Sequence, residues 1–391
     1  MDEFGFIERT NSNAEKHTLK QKLFGRDDVL PMWVADMDIA TPSCILDAVR
    51  ERLNHPIIGY EIMSKQAYKA QCDWVAHHHA WPLNLEWLSY SPSVVASIGC
   101  AIRAFSHEGD EVIVQSPVYP PFYDMVRNNN RKLVLNPLVC DDQGEHRFDL
   151  KDLKAKITPS TKLLLLCSPH NPVGRVWSRE ELLSLGELCI QKGIVIISDE
   201  VHCDIVFSEN KHIPLASLSQ KLSESTVTLI GPGKTFNMAG FSISTVVIPS
   251  SILRKRYRSE QHKMHYGDGA VLSHVAFEAA YTYGHTWHKN LMEHLSANAV
   301  MIEQWCSLHP IIGFRKPEGT YLAWLDCRAL KMGDRELRDF FVKEAGLGLS
   351  AGLSFGKEGS GFMRLNFAVA QEVLEKALDQ LSHALEKNGY G

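Results

Sequence analysis

The stretch LIGPGKTFNMAGF (229–241) sets one lysine, Lys234, among glycines, a proline and small residues. It continues from the β-branched run TVTLI (226–230), so the lysine stands at the end of a strand-like segment. A lysine partly desolvated in such a place has a lowered pKa and can form a Schiff base with a carbonyl compound. Three other strand-like runs end in polar, Pro-rich or acidic segments. SPVYPPF follows EVIVQ (111–115), SPHNPVG follows KLLLLC (162–167), and DEVHCD follows IVIIS (194–198). In open α/β sheets ligands sit outside the carboxyl ends of the strands, so these four segments converge on one crevice.

The residues at those ends define a chemistry. Asp199, closing a buried strand, can hold a proton on a heterocyclic nitrogen. A Schiff-base lysine with an aspartate for a pyridinium is the combination that pyridoxal 5′-phosphate requires. Tyr119 can stack on a planar ring, and Asn171 and His202 can hydrogen-bond a phenolic oxygen. A phosphate site is offered by SPSVVASIGCAIRAF (91–105). There Ser93 N-caps a helix whose Val94, Ile98, Ile102 and Phe105 share one face, and Gly109 is placed to end it. The free amides of Ser93, Val94 and Val95 would face the anion, aided by the helix dipole.

The elements that must position these groups follow from periodicity. KLVLN (132–136) and STVVI (244–248) add two more apolar runs, and helix-like segments lie between several of them. One runs from Ser178, a cap, to Lys192, with Gly193 after its end. Near-continuous apolar strands imply a sheet covered on both faces, hence an α/β, doubly wound, mostly parallel sheet. After about residue 275 helical patterns lead to two short strand-like stretches, TYLAWLD and FMRLNFAV, and a final helix over about 371–386, read as a smaller α+β domain. The expected division is 1–42 as an N-terminal segment packing with the small domain, 43–279 as the large cofactor domain and 280–391 as the small domain.

Composition bounds the alternatives. The 391 residues carry a formal charge of −5, which argues against a general nucleic-acid or anionic-membrane binder. No apolar run approaches the length of a membrane span, and the polar, acidic start does not read as a signal peptide. Nine cysteines without a CxxC pair read as reduced thiols of a cytoplasmic protein. AHHHAW (76–81) invites a metal reading, but adjacent helical histidines point about 100° apart. His77, His78 and His79 therefore read as a solvated helix end, and no metal is expected. Cys203 beside His202 points to the opposite face of its segment and forms no pair with it.

Taken in order, LPMWVADMDIATP (30–42), IIGYE (57–61), SPVYPPFY (116–123), CSPHNPVGRVW (167–177), ISDEVHCDI (197–205), GKTFNMAGF (233–241), GTYLAWLD (319–326) and GFMRLNFA (361–368) carry a family resemblance over nearly the whole chain. The sequence resembles fold-type I pyridoxal phosphate enzymes of the aspartate aminotransferase fold, and within them the cystathionine β-lyase, or cysteine C–S lyase, branch. The resemblance implies that Lys234 carries the cofactor and moves protons between Cα and the leaving sulfur. It implies that Asp199 pairs with the pyridine nitrogen, Tyr119 stacks on the ring, and Asn171 and His202 lie at the ring's 3-oxygen side. Arg364 would clamp the substrate α-carboxylate bidentately, with Ala35, Tyr119 and Asn171 also binding the substrate and the segment around Val34 and Ala35 closing over it. Tyr60 would reach the phosphate of a neighbouring subunit, making a homodimer. His202 stands where aminotransferases of this fold usually carry tyrosine. Ser242, Gly231 and Gly233 replace an arginine and two serines common around the lysine, so phosphate holding would lean on helix amides and Tyr60.

The implied reaction is β-elimination from L-cystathionine or a related L-cysteine thioether, giving a thiol, pyruvate and ammonia. An aminotransferase would use the same lysine, aspartate and arginine and stays open on motifs alone. A regulatory protein that keeps this fold is the third reading.

Overall fold

A computed structural model describes residues 5–265 and 267–390. The six apolar runs of the middle of the chain become strands: β2 (Glu111–Val114), β3 (Lys132–Leu135), β4 (Thr161–Cys167), β5 (Val195–Asp199), β6 (Thr226–Ile230) and β7 (Ser244–Val247). A seventh, β1 (Leu88–Ser91), has the sequence LSYS, which contains no β-branched residue and gives no strand signal of its own. Its conformation is imposed by pairing, with Ser244 opposite Ser91 and Thr245 opposite Tyr90.

The sheet order is β1-β7-β6-β5-β4-β2-β3, and only β7 runs against its neighbours. The mostly parallel, doubly wound sheet is therefore what forms. The chain leaves β2 toward one edge and β4 toward the other, so the switch point lies between them, where such sheets open a binding crevice.

The leucine run of β4 shows why both faces must be covered. Leu163 and Leu165 pack with Ile98, Ile102 and Phe105 of α3 (Val94–Phe105) and Tyr257 of α5 (Ser251–Met264). Leu164 and Leu166 point the other way, onto Leu182 and Leu185 of α4 (Arg179–Gln191). All four leucines are at most 1% exposed, each contributing about 1.5–3 kcal/mol by burial. Helix α4 starts at a full capping box, with Ser178 and Glu181 satisfying each other's backbone N–H. Helix α3 has the expected Ser93 cap but ends at Phe105. Gly109, at φ +85°, belongs to the turn that leads into β2 and does not end the helix.

Beyond the large sheet, α1 (Ser43–Leu53), α2 (Lys65–His79) and α6 (Val271–Tyr283) pack together. A second sheet holds β8 (Gly313–Phe314), β9 (Leu322–Asp326), β10 (Ser350–Ala351) and β11 (Phe362–Asn366) in the order β8-β9-β11-β10, all antiparallel. The two outer strands lie in two-residue pairings too short for periodicity to mark. Helices α7 (His285–Leu308) and α8 (Gln371–Lys387) pack with it, and Leu30–Pro31 pairs in parallel with Leu347–Gly348. No disulfide links the nine cysteines, and seven of them are buried.

The AHHHAW segment is not a uniformly solvated helix end. His79 turns inward, is 8% exposed, and sits 2.8 Å from Asp204 Oδ1. The Trp74 indole N–H donates to the same oxygen at 2.9 Å, and the Thr235 hydroxyl donates to Oδ2 at 2.7 Å. Burial alone would raise the Asp204 pKa, but the bonds from His79 and Trp74 hold the carboxyl well below the usual carboxylate range. Asp204→Ala leaves three buried polar groups without their acceptor and should cost about 3–5 kcal/mol of unfolding free energy, read from urea denaturation at pH 7.

Candidate active site

The segments that leave β2, β4, β5 and β6 meet in one cavity of about 510 Å³. Lys234 sits in a single helical turn, Pro232–Thr235, directly after β6. Its Nζ donates to the Ala35 carbonyl at 2.6 Å. Burial, with the nearby Arg364 charge, lowers its pKa to about 8. Asp199 ends β5 and is 6% exposed. It accepts the Val201 amide at 3.1 Å, yet burial pushes its pKa up to about 7. His202, 3% exposed, is held neutral, its pKa lowered to about 3 by burial and by the Lys234 and Arg364 charges.

Arg364 enters from the second sheet, on β11. It donates to Asn171 Oδ1 at 3.0 Å, to the Trp33 carbonyl at 2.6 Å and to Ser350 Oγ at 3.3 Å, with its guanidinium 4.7 Å above the Phe355 ring. Burial lowers its pKa to about 10. Among the described residues no carboxylate forms an ion pair with it. Tyr119 lines the same cavity, and burial beside Asp199 raises its phenol pKa. At the other end Ser93, Val94 and Val95, the first residues of α3, face Gly231, Ser242 and Ser244. A side chain on Gly231 would bring its Cβ within 3.0 Å of the Ser244 Cβ, so the wall there stays flat only with glycine.

Lys234, Asp199, His202, Tyr119, Asn171, Arg364, Ala35 and the Ser93–Val95 amides are thus brought together. Tyr60 is not. It stands fully exposed outside the cavity of its own chain.

These features place the chain among known proteins. The model of the family described as aminotransferase class I and II matches residues 30–381. The chain belongs to the aminotransferase class I and II family. It is 40% identical over 380 residues to cystathionine β-lyase PatB of Bacillus subtilis, covering 97% of this chain and 98% of that protein. Cystalysin of Treponema denticola, solved with pyridoxal 5′-phosphate, superposes with a TM-score of 0.95 at 30% identity over 99% of each chain. A C–S lyase of Staphylococcus hominis, also solved with pyridoxal phosphate, has a TM-score of 0.90 at 32% identity over 99% of this chain and all of that one.

The residues of this family member fit that cofactor on their own terms. A buried carboxylate with a raised pKa wants a cation, which a protonated ring nitrogen provides. His202 Nδ1 and Arg364 Nε are buried and have no hydrogen-bond partner among the described residues. The α3 N-terminus and the flat Gly231 wall suit a phosphate.

Sequence reasoning missed three residues that shape the site. The Tyr321 hydroxyl donates to the Ala35 carbonyl at 2.9 Å. Asn366 donates to the Val34 and Asp36 carbonyls, each at 2.6 Å. Asn237 donates to the Met37 and Ile39 carbonyls at 3.0 and 2.7 Å and accepts the Met37 amide at 3.0 Å. All three lie inside motifs already singled out, but a strap of backbone carbonyls has no sequence pattern of its own.

The raised Asp199 pKa makes a signed prediction. In protein stripped of cofactor the folded state binds this proton more tightly than the unfolded chain, whose aspartate titrates at about 3.8. Stability supplied by this group is therefore lost as pH rises from about 4 to about 7. The melting temperature of stripped Asp199→Asn should fall less over that window than the stripped parent's, and the difference should vanish when both are compared at pH 4.

Proposed function

We propose that the chain is a carbon–sulfur β-lyase that holds pyridoxal 5′-phosphate in the Lys234 cavity and cleaves L-cystathionine or a related L-cysteine thioether. The observation that carries this reading is the grouping of a lysine of lowered pKa, a buried aspartate and a buried, counterion-free arginine in one cavity. The 40% identity to a cystathionine β-lyase over nearly the whole chain supports the thioether assignment.

When bound, the cofactor supplies an electron sink for the pair left at Cα when its proton departs. The phosphate would be held by the amides of Ser93, Val94 and Val95, the ring by Tyr119, its nitrogen by Asp199 and its 3-oxygen by Asn171 and His202. Arg364 binds the substrate α-carboxylate, and a bidentate pair there fixes which bond at Cα stands over the ring.

Proton movement falls to Lys234. Relative to an ordinary lysine near 10.5, a pKa of about 8 raises its free-base fraction at pH 7 roughly 300-fold. His202, neutral down to about pH 3, is not an imidazolium acid for the leaving sulfur at neutral pH. Burial lifts the Cys167 thiol and the Tyr119 phenol well above neutrality. Of the buried titratable groups lining the cavity, Asp199 is committed to the ring nitrogen, so Lys234 takes the Cα proton and delivers one to sulfur as the Cβ–S bond breaks. With one water consumed, cystathionine yields homocysteine, pyruvate and ammonia.

The working unit in this reading is a homodimer. Ile57, Ile58, Tyr60 and Ile62 form an apolar run exposed by 67%, 56%, 110% and 78%, a run that a second copy would cover. Tyr60 then serves the phosphate end of the other copy's cavity, which two-fold symmetry makes reciprocal.

Two experiments check this. Cofactor-loaded protein given L-cystathionine without a keto acid should release pyruvate and thiol in equal amounts, and Lys234→Ala should abolish both. Bleaching of the cofactor into its pyridoxamine form without pyruvate would instead make it an aminotransferase. Separately, Lys234→Ala and Tyr60→Ala chains, each weak alone, should regain about a quarter of parental activity when refolded together, since half the dimers are mixed and each of those has one intact site. No recovery on mixing would place Tyr60 outside the partner's site.

A further inference from the structure

Around Trp74, two helices bring three imidazoles together. His77 and His78 lie in the last turn of α2, and His285 is the first residue of α7. One ring nitrogen of each lies within 4.8 Å of the other two. His78 Nε2 and His285 Nδ1 are 3.2 Å apart. Tetrahedral zinc with bonds of about 2.0–2.1 Å to nitrogen spaces its ligands by about 3.3 Å, so this pair already has the required edge.

The pair is also held in place. The His78 and His285 rings both stack on Trp74, at 4.0 and 4.5 Å, and lie within 13° of parallel to each other. Trp74 is 1% exposed and tied to Asp204, so the platform is rigid. His77 is exposed, and its ring stands at 81° and 87° to the other two. Its side chain is the one that turns to close the set. The 100° divergence of neighbouring helical residues does keep His77, His78 and His79 from sharing one ion, since His79 is drawn inward to Asp204. What the sequence could not show is the third ligand arriving from another helix.

The electrostatics agree. Burial and the neighbouring imidazoles lower the His78 pKa to about 4, and burial with His77 and His288 lowers that of His285. A neutral imidazole is the form that binds metal, and both shifts run in that direction. The carboxyl end of the α2 dipole favours a cation at His77 and His78, while the start of α7 disfavours one at His285. His77 and His285 also line a groove with Asp73, Lys69 and Thr282, which leaves room for a water ligand.

We propose that His77, His78 and His285 form a binding site for a first-row divalent cation of the zinc class, with water completing the coordination. An all-imidazole donor set selects zinc, nickel, cobalt or copper over magnesium and calcium. None of the three residues lines the Lys234 cavity.

The test is equilibrium dialysis of chelator-treated holoenzyme against Zn2+ in the presence of excess Mg2+, with bound zinc quantified per chain. The comparison is between parent, His77→Ala, His285→Ala and the double variant. The parent should bind one equivalent more than the double variant, each single variant should bind that equivalent at least tenfold more weakly, and Zn2+ should raise the parent's melting temperature only. Metal-free variants should keep the parent's cofactor absorbance. Equal zinc content in parent and double variant overturns the proposal, as does loss of the equivalent in His79→Gln but not in His77→Ala, which would move the ion to the buried His79, Cys203 and Asp204. Should His285→Ala disturb packing on Trp74, the exposed His77 still decides the question.

Discussion

Lys234, Asp199 and Arg364 are three ionisable groups kept inside one cavity with no ion pair among themselves or with any other described residue. Removing such charges from water costs several kcal/mol each unless something compensates. Their shifted pKa values record that cost, since the lysine and arginine are lowered and the aspartate is raised, each mainly by burial. A chain tolerates this arrangement only where the surrounding scaffold is rigid and where a ligand carries the missing charges. In the proposed function a substrate α-carboxylate would answer Arg364, and a protonated ring nitrogen would answer Asp199. The strain is thus directed at a ligand of defined charge pattern.

Rigidity comes from the way the charged groups are hung. Asp199 and Lys234 leave adjacent strands β5 and β6, and every residue of those strands but Val195 is buried. Arg364 comes from a different sheet, and besides its direct bond to Asn171 the two sheets are joined by the segment Trp33–Ile39. Its backbone carbonyls are held by Arg364 and Asn366 from β11 and by Asn237 from the lysine loop. Apart from an isolated antiparallel bridge between Ile39 and Phe6, the segment has no regular structure, and its carbonyls depend on amide and guanidinium donors from both sheets. Any displacement of the second sheet must move these carbonyls, which places Arg364 and Lys234 on one mechanical unit.

The large sheet was legible because its signal is periodic. Leu163–Leu166 can only be a strand buried on both faces, and a polar residue closing such a strand stands out. Lys234 and Asp199 were legible for the same reason, each sitting where an apolar run stops, whereas Arg364 lies inside its strand and was marked by its motif. The features that escaped lack any local signal. LSYS becomes a strand only because β7 lies beside it. Gly109 carries the marks of a helix terminator, but Ser106 leaves the helical conformation three residues earlier. The inward turn of His79 depends on Asp204, 125 positions away. Tyr321, Asn237 and Asn366 act on backbone carbonyls, which every sequence possesses and none advertises.

Tyr321 shows why that last class matters to function. In this structure the Ala35 carbonyl accepts from both Lys234 Nζ and the Tyr321 hydroxyl, at 2.6 and 2.9 Å. To react with a carbonyl compound Lys234 must give up this bond. A buried acceptor left without a donor costs about 1–3 kcal/mol, which would hold the lysine back. Tyr321 removes most of that cost, because the carbonyl keeps one donor when the lysine leaves. Burial lifts the Tyr321 phenol far above neutrality, so it stays protonated and remains a donor at any pH where the enzyme is folded. The lysine can therefore alternate between the strap and a bound molecule while the strap keeps its position over the cavity.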